Sequence, residues 1–275
     1  MFFVVSANVH AEVPKRIASL NLCTDQYLLA FADPAQISSL SPWARDPRMA
    51  YYQREAKQFP QNNGSAETLI YGQVDLVMDG SYASILKQEM FRKKGIRTFA
   101  LSPLEDLRQT EQEIRDVAAL LGYTKRGDKL IHTINESLDR TRGIIKKPYK
   151  ILVIFRRGYV PAENSTINIL LKHFGFELYQ QHFGLTDGGF LRLEPLVLDP
   201  PDYAIVDETT GTAMDHGSAL LSHPALLRAI PPERRIVFPE KLFMCGGPTL
   251  PEAIRTLASS VLLAISEHAS GKPYP

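Results

Sequence analysis

At 275 residues and 44% apolar content, the chain is long enough to bury one large core or two of ordinary size. Its 31 basic and 30 acidic side chains leave a net charge of +1, so no global field draws it to nucleic acid or to an anionic membrane, and no basic stripe is interleaved with aromatics. No apolar run approaches the roughly eighteen residues that a membrane span requires.

Met1 to Ala11 is a short apolar stretch closing on small residues, followed at once by the polar Glu12-Val-Pro-Lys-Arg16. It reads as the tail of a secretory signal whose charged start is truncated in this chain, with cleavage after Ala11. Leu20-Asn-Leu-Cys23 lacks the small residues that a lipoprotein box needs before its cysteine. The pattern then predicts a strand from Arg16 to Leu22, a helix from Thr24 to Phe31 capped by Thr24 or Asp25, and a strand from Gln36 to Leu40. A loop-rich stretch, Ser41 to Asn63, leads to a strand near Asp75 to Met78, a helix from Ala83 to Lys94 stopped by Gly95, and a strand from Ile96 to Leu101. This βαβ rhythm argues for a parallel sheet covered by helices.

From Leu104 to Lys147 no strand pattern occurs. A helix is predicted from Leu104 to Leu121 and another from Gly127 to Ile145, the latter with Leu130, Ile131, Ile134, Leu138 and Ile145 along one face. The alternation resumes with a strand over Tyr149 to Phe155, a helix over Thr166 to Phe174, a strand over Arg235 to Phe238 and a last helix from Pro248 to about His268. Two segments echo each other 127 residues apart: Glu67-Thr-Leu-Ile70 with Asp75 to Asp79, and Glu194-Pro-Leu-Val197 with Asp202 to Asp207. Such an echo means two copies of one structural unit, hence a pair of lobes with a cleft between them.

The order of Lys15 to Ala30, the Glu67 segment ending in Val74-Asp-Leu-Val77, Lys94-Gly-Ile-Arg-Thr-Phe99, the long helix, and the Glu194 segment ending in Asp202 to Val206 resembles the periplasmic solute-binding proteins of iron-siderophore, heme and vitamin B12 ABC importers. The resemblance implies an α/β fold of two Rossmann-like lobes joined by a single long backbone helix, with little hinge closure and a metal chelate held between them. It divides the chain into a signal-like segment 1–11, an N-terminal lobe 12–122, a bridging helix 123–147 and a C-terminal lobe 148–275. It further implies a monomeric periplasmic protein that delivers its ligand to a permease homodimer with its ATPase. In this family, carboxylates at the positions of Glu67 and Glu194 dock the binding protein onto permease arginines, one per lobe; the first turn of a short helix also favours a carboxylate on its own account.

Open α/β sheets bind ligands beyond the carboxyl ends of their strands. The loops there carry Trp43, Arg45, Ser81 and Tyr82 on the first lobe, and Arg156, Arg157, Tyr159, Phe190 and Phe243 on the second. A tryptophan beside an arginine, facing an Arg-Arg-Gly-Tyr, suits a bulky chelate with an anionic periphery through stacking and charge-assisted hydrogen bonds. A ferric siderophore therefore leads, with a corrinoid and heme as alternatives; for heme, Tyr82, Tyr159 or His182 would serve as axial ligand. Partial core burial of Trp43 and a solvated strand end at Arg156 and Arg157 are the plainer readings.

Cys23 and Cys245 also fall in such loops, as one disulfide or as two free thiols. The seven histidines lack the spacing of a metal site, so no bound metal or resident cofactor is expected. An enzyme is the rival class, and its usual signatures, Gly-x-Gly-x-x-Gly after a strand, a Walker loop, Gly-x-Ser-x-Gly and His-Glu-x-x-His, do not occur.

Overall fold

The computed structural model describes residues 12–102, 106–207 and 219–270. The signal-like segment with His10, the expected helix start at Leu104, and His216 lie outside the described residues. The first α/β unit comprises β1 (Ile17–Ser19), α1 (Leu22–Phe31), β2 (Ile37–Ser39), α2 (Ala66–Tyr71), β3 (Leu76–Asp79), α3 (Ile85–Lys93) and β4 (Arg97–Ala100). Two helices follow, α4 (Leu107–Leu120) and α5 (Thr124–Thr141). The second unit comprises β5 (Lys150–Val153), β6 (Tyr159–Val160), α6 (Thr166–Phe174), β7 (Glu177–Leu178), β8 (Gly189–Phe190), α7 (Leu193–Leu198), β9 (Tyr203–Val206), α8 (Pro224–Ala229), β10 (Arg235–Val237), α9 (Glu240–Phe243) and α10 (Leu250–Ser270).

The two main sheets are parallel and share one strand order. The first runs β2-β1-β3-β4, and the second, read from its matching edge, β7-β5-β9-β10. The sequence echo is this duplication: Glu67 and Glu194 are each the second residue of a six-residue helix, and the 127-residue offset also relates Ala66 to Leu193 and Leu76 to Tyr203. Each lobe is thus a doubly wound α/β unit.

Strand alternation explains how one core serves both lobes. Side chains on successive strand residues point to opposite faces. Ile17, Leu76 and Met78 of the first sheet, and Ile151, Val153, Tyr203 and Ile205 of the second, all enter one continuous apolar cluster, whereas Ala18 and Val77, or Leu152 and Val206, enter a separate outer cluster of their own lobe. The shared cluster is filled between the sheets by Ile131, Ile134 and Leu138 of α5 and by Ile254, Leu257 and Val261 of α10. Helix α5 packs on α4, α6 and α10. Gly127 lets α4 and α5 approach closely, since a Cβ there would stand 2.6 Å from that of Ala118. A continuous core of this kind resists sliding or opening of one lobe on the other.

Several expected boundaries move for identifiable reasons. The first helix starts at Leu22, capped by the Asn21 side chain, which accepts from the Cys23 N–H at 2.8 Å. Neither Thr24 nor Asp25 serves as cap: the Thr24 hydroxyl bonds Ser19 and the Asn21 carbonyl, and Asp25 turns inward to Ser41. Asp106 caps α4 by accepting from the Gln109 N–H at 2.7 Å. Helix α5 ends at Thr141 and not at Ile145, because Gly143 takes φ 57° and donates to the His173 carbonyl. The antiparallel β6–β8 pair and the two-residue strand β7 carry no sequence pattern long enough to predict them.

Candidate functional site

In each sheet the strand order reverses at the first strand, β1 or β5, so crevices open beyond the carboxyl ends of β1 and β3 and of β5 and β9. A cavity of about 540 Å³ lies there, lined from the first lobe by Asn21, Tyr27, Asp79 and Glu113 and from the second by Ser165 and Phe243, among others. Beside it lies a cavity of about 350 Å³, which shares Ser165, Phe243 and Met244 with the first and adds Phe155, Arg156, Tyr159, Asp207 and Glu240. Together they form a cleft between the lobes.

The floor of the larger cavity is a buried polar group. Tyr27 donates its hydroxyl to Glu113 Oε1 at 2.8 Å, and the Ser102 N–H donates to Oε2 at 3.2 Å. Burial pushes the Glu113 carboxyl up despite both bonds, and burial together with the neighbouring Glu113 pushes the Tyr27 phenol well above its usual range. Asp79, at the end of β3, accepts from the Gly80 N–H at 2.8 Å through one oxygen. Cys23 and Cys245 line the same cavity and are bridged, with Cα atoms 5.3 Å apart, so the start of α1 is tied to the segment before α10.

In the smaller cavity Phe155 and Phe243 stack with ring centroids 4.7 Å apart and planes 4° apart. Burial pushes the Glu240 carboxyl up, Asp207 adds to this, and Arg48 and Arg156 oppose it. Charges from the first lobe's loop, Asp46 and Arg48, therefore meet those of the second lobe here.

Of the residues expected in the cleft, Ser81 and Tyr82 line the larger cavity, Arg156 and Tyr159 the smaller, and Phe243 both. Tyr82 stands almost fully exposed at the rim. Trp43, Arg45, Arg157 and Phe190 line neither cavity. Trp43 is 53% exposed, so partial core burial does not account for it. Arg45 is spent on its own lobe, donating to the carbonyls of Ala56, Lys57 and Phe59. Arg157 is exposed on a left-handed backbone, φ 60°. Phe190 is an exposed neighbour of Tyr159 across the β6–β8 pair, ring centroids 5.7 Å apart. His182 stacks on Tyr179 and pairs with Asp199 at 2.8 Å. Glu67 and Glu194 are exposed in the first turns of α2 and α7, and the Ser65 hydroxyl, donating at 2.6 Å, holds the Glu67 carboxyl below its usual range.

Sequence reasoning missed Tyr27, Asp79, Glu113, Asp207 and Glu240. For Glu113 a signal exists, because it sits among Thr110, Ile114 and Val117 on the buried side of α4, where an acid needs a reason. Among the described residues no three His, Cys, Asp or Glu side chains gather to hold a metal ion, and no helix is long and apolar enough to cross a membrane.

The family model described as periplasmic binding protein matches residues 17–242. No curated protein matches the chain by sequence. Among solved structures, the periplasmic heme-binding protein RhuT from Roseiflexus sp. RS-1 superposes with a TM-score of 0.73 at 22% identity, over 91% of this chain and 98% of that one. A periplasmic heme-binding protein from Pseudomonas aeruginosa does so with 0.71 at 18% identity, over 90% and 92%. The periplasmic vitamin B12-binding protein BtuF of Vibrio cholerae gives 0.69 at 12%, over 91% and 98%. At such identities these likenesses concern the fold.

Proposed function

The chain belongs to the periplasmic binding protein family, and from that premise we propose that it captures a tetrapyrrole-type metal chelate, of the heme or corrinoid kind, and hands it to the permease dimer of an ABC importer. The observation that carries this reading is the cleft itself. Its two adjoining cavities, about 540 and 350 Å³, lie at the reversal points of both sheets, within the size range of small-molecule sites. The stacked Phe155 and Phe243 and the exposed Tyr82 and Tyr159 offer flat apolar faces and polar edges to a bulky planar complex. The heme-binding and vitamin B12-binding names of the structural neighbours favour the same ligand class.

The siderophore preference loses its main support, because it leaned on Arg45, Arg156 and Arg157 and of these only Arg156 lines either cavity. On this reading residues 12–122 and 148–275 are the lobes and 123–147 the segment between them. The protein acts as a monomer in the periplasm, where a Cys23–Cys245 bridge is at home. It binds and releases its ligand unchanged, without catalysis. Glu67 and Glu194, at matching places in the lobes, serve as the permease-docking pair.

Titration of the protein's single tryptophan, Trp43, with heme, cyanocobalamin and a set of ferric siderophores tests the proposal. Saturable quenching by a tetrapyrrole at unit stoichiometry is expected. Saturation by a siderophore alone, with heme and cobalamin inert, would overturn the ligand class.

A further inference from the structure

The charge of the cleft narrows the ligand further. Among the described residues, the larger cavity is lined by two carboxylic acids, Asp79 and Glu113, and by no lysine or arginine. Among the described residues, the smaller cavity adds Asp207 and Glu240 against Arg156, the one basic residue in its lining. In the first lobe's loop Arg45 has its guanidinium committed to three backbone carbonyls, and Arg48, which acts on Glu240, stands 3.9 Å from Asp46. Burial raises Glu113 and no basic group pulls it back, which is the behaviour of a carboxylate with no counter-charge beside it.

A carboxylate on the ligand would have to lose its hydration in this enclosure while facing carboxylates, and like charges without solvent between them repel strongly. Amide or ammonium N–H groups would instead meet acceptors. Asp79 has spent one oxygen on Gly80, and Glu113 accepts one bond at each oxygen, whereas a carboxylate can accept about four. We propose that the cleft selects metal complexes rimmed by neutral amides or ammonium groups and rejects carboxylate-rimmed ones, with Asp79 and Glu113 accepting hydrogen bonds from the ligand. This inference rests on the reading that the cleft holds a metal chelate.

The test uses two matched pairs of probes, each sharing a metal and a ring: dicyanocobinamide against dicyanocobyrinic acid, whose amides are replaced by carboxylates, and hemin diamide against hemin. Affinities are measured by calorimetry for the whole chain and for the Asp79→Asn and Glu113→Gln variants, with circular dichroism to check folding. The amide member of each pair that binds should bind at least about tenfold tighter. Each variant should reduce that ratio several-fold, chiefly by improving the carboxylate member. Equal or tighter binding of the carboxylate member in either pair would overturn the selection while leaving the chelate reading intact. A preference untouched by both variants would overturn the role of Asp79 and Glu113. Failure of all four probes to bind would remove the tetrapyrrole reading itself, and the inference with it.

Discussion

Asp25 should make this protein less stable as the pH rises through the mildly acidic range, and Asp25→Asn should remove that dependence. The residue lies in α1 with 1% exposure, and its carboxylate accepts from the Ser41 N–H at 2.9 Å and the Ser41 hydroxyl at 2.5 Å. Burial raises its pKa from 3.8 to about 6, against the opposing pull of hydrogen bonds from Ser19 and Ser41. A folded-state pKa above the unfolded one means that the native chain holds the proton more tightly. The stabilisation is therefore full below the unfolded value of 3.8, falls as pH rises, and is gone above about 6. A shift of about two units at about 1.4 kcal/mol per unit amounts to about 3 kcal/mol. Asparagine stays neutral throughout, and its carbonyl oxygen still accepts from the Ser41 N–H. Urea unfolding of both proteins at fixed salt, from about pH 4 to about pH 7, cancels the titration of the other carboxylates. The stability difference, variant minus parent, should climb by about 2 kcal/mol across that range, the rest of the gain lying below about pH 4. A difference that stays level with pH, or one that falls, would refute the reasoning.

Gly158 has φ +76° and a Cβ there would overlap the Leu191 carbonyl, so Gly158→Ala should cost more than about 1 kcal/mol in urea melts and disturb the Tyr159–Phe190 pair. Ile134, 2% exposed in the core common to both lobes, should lose about 2 to 5 kcal/mol on truncation to alanine, with near-UV circular dichroism and tryptophan fluorescence still reporting one coincident transition. Arg156→Ala should change the affinity for the bound tetrapyrrole whereas Arg157→Ala leaves it within error in the same titration, since only Arg156 lines a cavity. Charge reversal at Glu67 and Glu194 together should leave solution affinity nearly unchanged and reduce association with the reconstituted permease in a salt-dependent way; full transport by that double variant would limit both residues to a role at their helix ends.

The duplicated architecture was legible because it is written in local pattern. The Glu67 and Glu194 segments repeat helix and strand in the same register, and α6 runs from Thr166 to Phe174 as its apolar spacing predicts. Strand ends also located the cleft in general terms, bringing in Ser81, Tyr82, Arg156, Tyr159 and Phe243. What sequence could not convey is where a side chain goes once its loop is placed. Arg45 turns to three carbonyls of its own lobe, Arg157 stands exposed on its own left-handed backbone, and Trp43 stays outside both cavities. Conversely, Tyr27 and Glu113 lie 86 residues apart on two helices, and only their packing makes them a cavity floor. The disulfide is of the same kind: 222 residues separate its cysteines, and the lobe arrangement brings them together.

Capture of a tetrapyrrole in the cleft is checked by native mass spectrometry of the whole chain with cyanocobalamin and hemin, with Phe243→Asp as the control because Phe243 lines both cavities. A single complex of one protein with one tetrapyrrole is expected, with the ligand mass unchanged and that complex lost in the variant. Chemical turnover of the ligand, or equal complex formation by a folded Phe243→Asp protein, would contradict it.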